Sequence, residues 1–275
     1  MKHASLLVLL VLLWLLAALP AQAALFGPGE PIRAFAPGDA AGGLEIDHGP
    51  WDRFLGRHLV TDHPSGVNRI RYAAIDAATR AELQDYLDAM QALDPREANR
   101  DAQMAYWINL YNALTVALVV DEMPIDSIRE IGSGLFETGP WKRPLAEVAG
   151  RKLSLDDIEH RILRPLFPDP RIHFAVNCAS VGCPDLAADA FTAGNLEPQL
   201  GAGTRAYVNH PRGVRFEDGV LHISSIFDWY RQDFPAGRDA LLDWLAGHAR
   251  PELARQLRSH QGPIEHDYDW QLNAP

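Results

Sequence analysis

Between Thr79 and Met90 the side chains Leu83, Tyr86, Leu87 and Met90 recur at the spacing of one helix face, which predicts an amphipathic helix. A longer apolar stretch runs from Ala102 to Val120 without a charge, and Asp94-Pro95 supplies an N-cap and a first-turn proline ahead of it. Pro124 marks the end of that helix. Asn109, Asn112 and Thr115 sit in its middle, where they would be costly in hydrocarbon, so it reads as a buried central helix and not as a membrane span. Ser154-Leu155-Asp156-Asp157 is a capping signature opening a helix to about Leu163. Ile172, Phe174 and Val176 alternate within Arg171–Asn177, the pattern of a strand.

Further on, Asn195 caps a predicted helix to about Asn209. Val214–Phe216 and Val220–Ile223 flank Asp218-Gly219 as a β-hairpin. Ser224 or Ser225 opens a helix through Trp229 and Tyr230, and helical patterns occupy about 238–248 and 251–259. Ile264 to Leu272 reads as a last strand, and Gly132 to Pro140 as a loop. No repeat or low-complexity linker divides the chain. The expected fold is α+β, a helix-rich single domain over 51–273 with a small, mostly antiparallel sheet.

The N-terminus follows different rules. Lys2, the apolar run Leu6–Leu16 and Ala21-Gln22-Ala23 form the three parts of a secretory signal peptide, residues 1–23. Residues 24–50, rich in Gly, Pro and Ala, read as an extended leader. Export to the periplasm or beyond follows, with no integral membrane span after cleavage. The 275 residues carry a formal charge of −11, which argues against a nucleic-acid partner held through phosphates. A small-molecule or peptide ligand is the expected partner.

Two cysteines, Cys178 and Cys183, share one small-residue loop after the predicted strand. Pro184 suits the first position of a short helix, which would put Cys183 at an N-cap, where the helix dipole favours thiolate. An exported pair at this spacing also suits a disulfide. Metal chelation is not expected, because no second Cys or His pair follows at ligand spacing, and no cofactor is expected. On strand alternation His173 and Cys178 point to opposite faces, so His160 is the alternative base. Asp156 lies one turn before His160 and could orient it, while Glu159 could face inward instead. Asn109 and Asn112 would clamp backbone or reach a site, and Asn177 and Arg171 flank the loop as candidate substrate contacts.

Several motifs recur together: Tyr106-Trp107-Ile108-Asn109-Leu110-Tyr111-Asn112-Ala113, Ser154–His160 with Leu163-Arg164, and Asp169–Phe174. Asn177-Cys178 with Cys183-Pro184, Trp229-Tyr230 with Asp233-Phe234, and Tyr268-Asp269-Trp270 with Leu272-Asn273 complete the set. On these the chain resembles domain-of-unknown-function family 547, with Gly182 standing where that pattern usually has serine. The resemblance implies a single domain shared by bacterial, plant and animal chains, and no established reaction. Since the plant and animal chains lack a general export signal, it also implies that the cysteines matter beyond oxidation.

The expected activity is a cysteine-dependent hydrolase or acyl-transferase. Cys178 or Cys183 would be the nucleophile, His160 or His173 the base, and Asp156 or Glu159 its orienter. Asn109, Asn112 or loop N–H groups would hold the oxyanion. The alternative is a non-catalytic envelope binding module stapled by a Cys178–Cys183 disulfide. Thiol–disulfide exchange is disfavoured because the spacing is longer than Cys-x-x-Cys.

Overall fold

The computed structural model describes residues 27–38, 43–132 and 139–275. Residues 1–23, read above as a signal peptide, and most of the Gly132–Pro140 loop lie outside them. The chain is organised around the central helix, Arg100–Glu122, whose uncharged stretch is buried almost all round. Its cap is Asn99, whose side chain accepts from the Ala102 N–H. Asp94 and Pro95 instead open a separate 3-10 turn, Pro95–Glu97. The cap signature was there, one short element early. No helix among the described residues is long and apolar enough to cross a membrane.

Ala77–Ala92 packs on the central helix through Leu83, Tyr86, Leu87 and Met90, with Asp76 as N-cap. Gly49–His58 covers these from outside, stacking Trp51 on Phe54 and Tyr86. The leader also contributes: Phe35 is fully buried against Trp107, ring centroids 4.9 Å apart. A second core forms around Phe174, Tyr207, Phe227, Leu242 and Leu257. It gathers helices Leu196–Val208, Arg238–His248 and Pro251–Ser259 against the hairpin of strands Val214–Glu217 and Val220–Ser224. Asp218 and Gly219 both take positive φ, as a two-residue type I′ turn requires.

Strand Ile264–Asp267 joins Val220–Ser224 in parallel, while every other strand pair among the described residues is antiparallel. The fold is thus helix-rich α+β with small sheets.

Arg171–Asn177 is not a strand. Asp169 caps and Pro170 opens a 3-10 helix, Pro170–Phe174, in which Ile172, His173 and Phe174 are all buried. Ala175 remains in the helical region, so the chain turns before reaching Asn177. No helix starts at Pro184 either.

Asn112 ties this turn to the central helix. Its amide donates to the Ala175 carbonyl (2.9 Å) and accepts from the Asn177 N–H (2.8 Å). Asn109 does the same for Phe191, at 2.7 and 3.0 Å. Both are buried, and each leaves two backbone groups orphaned if truncated. Asn112→Ala is expected to destabilise the fold by roughly 2–4 kcal/mol, checked by urea unfolding.

Candidate active site

The loop from Asn177 to Pro184 is pinned along its length. Asn177 donates to the Pro184 carbonyl (2.7 Å) and accepts from the Ala179 N–H (2.9 Å), closing the loop on itself. Val181 and Gly182 N–H groups bond the Gln271 and Asp269 carbonyls, each at 2.8 Å. Tyr207 donates to the Gly182 carbonyl (2.6 Å), and Arg212 to that of Val181 (3.0 Å). Ala179 is held at φ 61, a conformation that L residues keep only when their surroundings impose it. A Cβ at Gly182 would stand 2.7 Å from the Asp269 nitrogen, so the close approach of these two backbone segments requires glycine.

This rigid loop sets both sulfurs against a cleft of about 1310 Å³. Cys178 Sγ lies 2.8 Å from Cys183 Sγ, 3.1 Å from the Tyr268 hydroxyl and 3.2 Å from that of Ser180. Cys178 is half-buried and Cys183 buried, and both are free thiols. The Cys183 thiol, hydrogen-bonded to Cys178, is the main force holding the Cys178 pKa below that of an ordinary thiol. Burial and the charge of Glu159 oppose it, and the two hydroxyls assist. Burial pushes Cys183 well up. Cys178 is therefore the better thiolate, the reverse of the order that an N-cap would impose. The donors are side chains, not a helix terminus.

The opposite wall comes from an unusual helix. Ser154 and Asp157 exchange the expected capping bonds, Ser154 N–H to Asp157 at 3.0 Å and Asp157 N–H to Ser154 Oγ at 3.1 Å. The helix then widens to a π-helix over Asp157–Leu163 before ending in Arg164–Leu166. Such a wider turn rotates less per residue than an α-helix, and Asp156, Glu159 and His160 all border the cleft. The leader holds the turn from behind, its Gly29 and Ile32 N–H groups bonding the His160 and Arg161 carbonyls, each at 2.9 Å.

Asp156 does not orient His160; their nearest atoms are 3.8 Å apart. Arg164 Nη1 donates to His160 Nδ1 at 3.1 Å instead. Glu159 is buried, which alone would raise its pKa. His160, His173, Arg164 and a hydrogen bond from Tyr111 outweigh that and keep it ionised below the usual carboxylate range. Burial also raises Asp156.

His173, expected to diverge from Cys178, borders the same cleft because the chain turns where a strand was predicted. Its Nε2 lies 2.7 Å from Asp233 Oδ2, which also accepts from Arg164 Nε at 2.6 Å. Asp233 is held below its usual range: burial raises it, but His173 and Arg164 outweigh that. An ionised carboxylate can only accept, so the His173 proton sits on Nε2 and the lone pair on Nδ1. The ring stacks on Tyr230 at 4.2 Å, and burial lowers its pKa below that of an ordinary imidazole. It is therefore an uncharged base at neutral pH.

Cys178, Cys183, His160, His173 and Glu159 are thus brought together around one cleft. Asn109, Asn112 and Asn177 are not part of its lining; their amides are committed to backbone. Arg171 is engaged elsewhere, paired with Asp169 (2.6 Å) and Glu197 (3.0 Å). In the sequence Asp233 and Tyr268 stand out only as members of the Trp229–Phe234 and Tyr268–Asn273 motifs, and their partners lie 60 and 90 positions away.

Residues 95–208, the segment holding the central helix, the π-helix and the cysteine loop, match the family described as "Protein of unknown function, DUF547". The match ends before Asp233 and Tyr268. No curated protein matches the chain, and no solved structure does.

The pH dependence of Cys178 alkylation by iodoacetamide tests these electrostatics. Its midpoint is expected below the value of about 8.5 for an ordinary thiol. Cys183→Ala, which removes the main stabilising donor, should move the midpoint upward. Peptide mass spectrometry of labelling rates reads both.

Proposed function

We propose that the chain is an exported cysteine-dependent hydrolase or acyl-transferase of the cell envelope, with Cys178 as nucleophile and His173 as base. One observation carries the reading. A thiol with three hydrogen-bonding neighbours borders the same cleft as an imidazole whose far nitrogen is tied to a half-buried carboxylate. Export rests on the n-region, apolar run and cleavage pattern of residues 1–23.

In the proposed reaction Cys178 Sγ attacks the acyl carbon, and its proton passes to His173 Nδ1. Asp233 stabilises the resulting imidazolium through Nε2–H, as the carboxylate of a triad does. Collapse of the tetrahedral intermediate breaks the bond to the leaving group, which takes the proton from His173. The thioester left on Cys178 is then attacked by water or an acceptor that His173 deprotonates, and the acyl–sulfur bond breaks as the Cys178 sulfur takes that proton back. The Tyr268 hydroxyl, 3.1 Å from the sulfur, is the nearest hydroxyl donor for the oxyanion. Asn109 and Asn112 cannot serve there, being spent on the fold.

A non-catalytic binding module would need none of the His173–Asp233–Arg164 alignment. The test is acylation by p-nitrophenyl acetate, followed by nitrophenolate release and intact mass. The expected result is an acetyl group on Cys178 that turns over, and no adduct in Cys178→Ala. His173→Gln should slow acylation roughly 100- to 10,000-fold, the usual worth of a general base. His160→Gln should slow it far less. Undiminished turnover in Cys178→Ala, or an adduct elsewhere, would overturn the assignment.

A further inference from the structure

We infer that Cys178 and Cys183 are a reversible redox lock, closed to a disulfide by low-molecular-weight disulfides of the glutathione type and reopened by thiols. The inference rests on the reading of Cys178 as nucleophile, since closing the lock consumes that sulfur.

Three observations carry it. The sulfurs stand 2.8 Å apart, so under about 1 Å of approach separates them from bonding distance. The two thiols are unequally placed: Cys178 is half-buried at the cleft, while Cys183 is buried behind it. An incoming disulfide therefore meets Cys178 first, and Cys183 is positioned to resolve the product. Finally, the loop does not need a staple. Asn177, Tyr207, Arg212 and the Gln271 and Asp269 carbonyls already fix it in the dithiol state. A ring of so few residues also removes little entropy from the unfolded chain, so the bond has little structural purpose. An accessible disulfide that is not structurally required is the reducible kind.

The chemistry balances. Cys178 thiolate attacks one sulfur of the disulfide RSSR, forming Cys178–S–SR and expelling one RS⁻, which takes up the proton Cys178 had lost. Cys183 then loses its proton and attacks the Cys178 sulfur. The Cys178–Cys183 bond forms, the bond to SR breaks, and the second RS⁻ leaves as RSH. Two thiols are oxidised to one disulfide, and RSSR is reduced to two RSH.

The experiment uses the full mature chain, reduced and freed of reductant, then incubated with oxidised glutathione. Alkylation under denaturing conditions and intact mass count the thiols. Two labels are expected before incubation and none after, without a retained glutathione, and dithiothreitol applied to the folded protein should restore both. Cys183→Ser should trap one glutathione on Cys178, whereas Cys178→Ser should take none up while folded. Two surviving labels, a glutathione adduct persisting on the parent protein, or a disulfide that reduces only on unfolding would each overturn the lock. Where Cys178→Ala abolishes acyl turnover, turnover by the fully oxidised protein would overturn it as well. The thiol count does not depend on acyl chemistry. Undiminished turnover in Cys178→Ala therefore removes the hydrolase reading while the mass result stands by itself.

Discussion

A single buried amide places the chemistry. Asn112 holds the Ala175 carbonyl and the Asn177 N–H at once, and thereby fixes where the chain leaves the 3-10 helix and where Cys178 begins its loop. The constraint propagates because Asn177 uses its own side chain to bridge Ala179 and Pro184, and Asn273 approaches the same oxygen at 3.4 Å. Asn273 in turn accepts from the buried Tyr72 hydroxyl at 2.7 Å. A chain of amides thus links the central helix, the cysteine loop and the C-terminal tail. Each member is satisfied by geometry that only the native fold supplies. Such networks specify one arrangement, since partial satisfaction leaves buried polar groups exposed to their full desolvation cost.

Much of the framework was legible because its signals are local. The Ala77–Ala92 stripe, the Ser154/Asp157 box and the Asp218-Gly219 turn each act within a few residues, and each appears where its chemistry requires. The Arg171–Asn177 segment shows how two local signals compete. Alternation of Ile172, Phe174 and Val176 favours a strand, but Asp169-Pro170 is also a helix start, with the aspartate side chain accepting from the Arg171 N–H at 2.9 Å. With both flanks buried, alternation no longer reports one exposed face. The helix start decided the outcome. That one difference reverses the relation of His173 to Cys178.

The remainder was hidden for a different reason. Asp233 meets His173 and Arg164 across 60 and 69 positions, and Tyr268 meets Cys178 across 90. No periodicity reports such pairings, because the second core must first carry Tyr230 and Asp233 to the mouth of the first. The π-helix was equally unreadable. Its sequence satisfies ordinary helix rules, and the wider turn is held by Gly29 and Ile32 of the leader, two elements read as unrelated. Glycine is needed there, since a Cβ at Gly29 would stand 2.6 Å from Arg161 Cγ. The leader is thus part of the wall that carries Glu159 and His160.

The charges of that wall explain how a buried imidazole can act as a base. Arg164, its side chain fully buried, is a fixed positive charge, whereas Asp233 and Glu159 are both held ionised beside it. The group carries one more negative than positive charge while His173 is neutral. Burial keeps His173 neutral at rest, because desolvation is the largest influence on it and lowers its proton affinity. Asp233 and Glu159 both act in the other direction, so a proton arriving from Cys178 balances the excess. Loss of the thiol proton at the cleft and its gain at His173 would then bring Arg164, Asp233, Glu159 and His173 together to zero net charge when the sulfur attacks. Asp233→Asn would remove that compensation and also one of the carboxylates around Arg164, so it should impair stability together with proton transfer. The same carboxylate serves fold and chemistry. A substitution that separates the two roles must therefore be made at His173, where the hydrogen bond can be kept while basicity is lost.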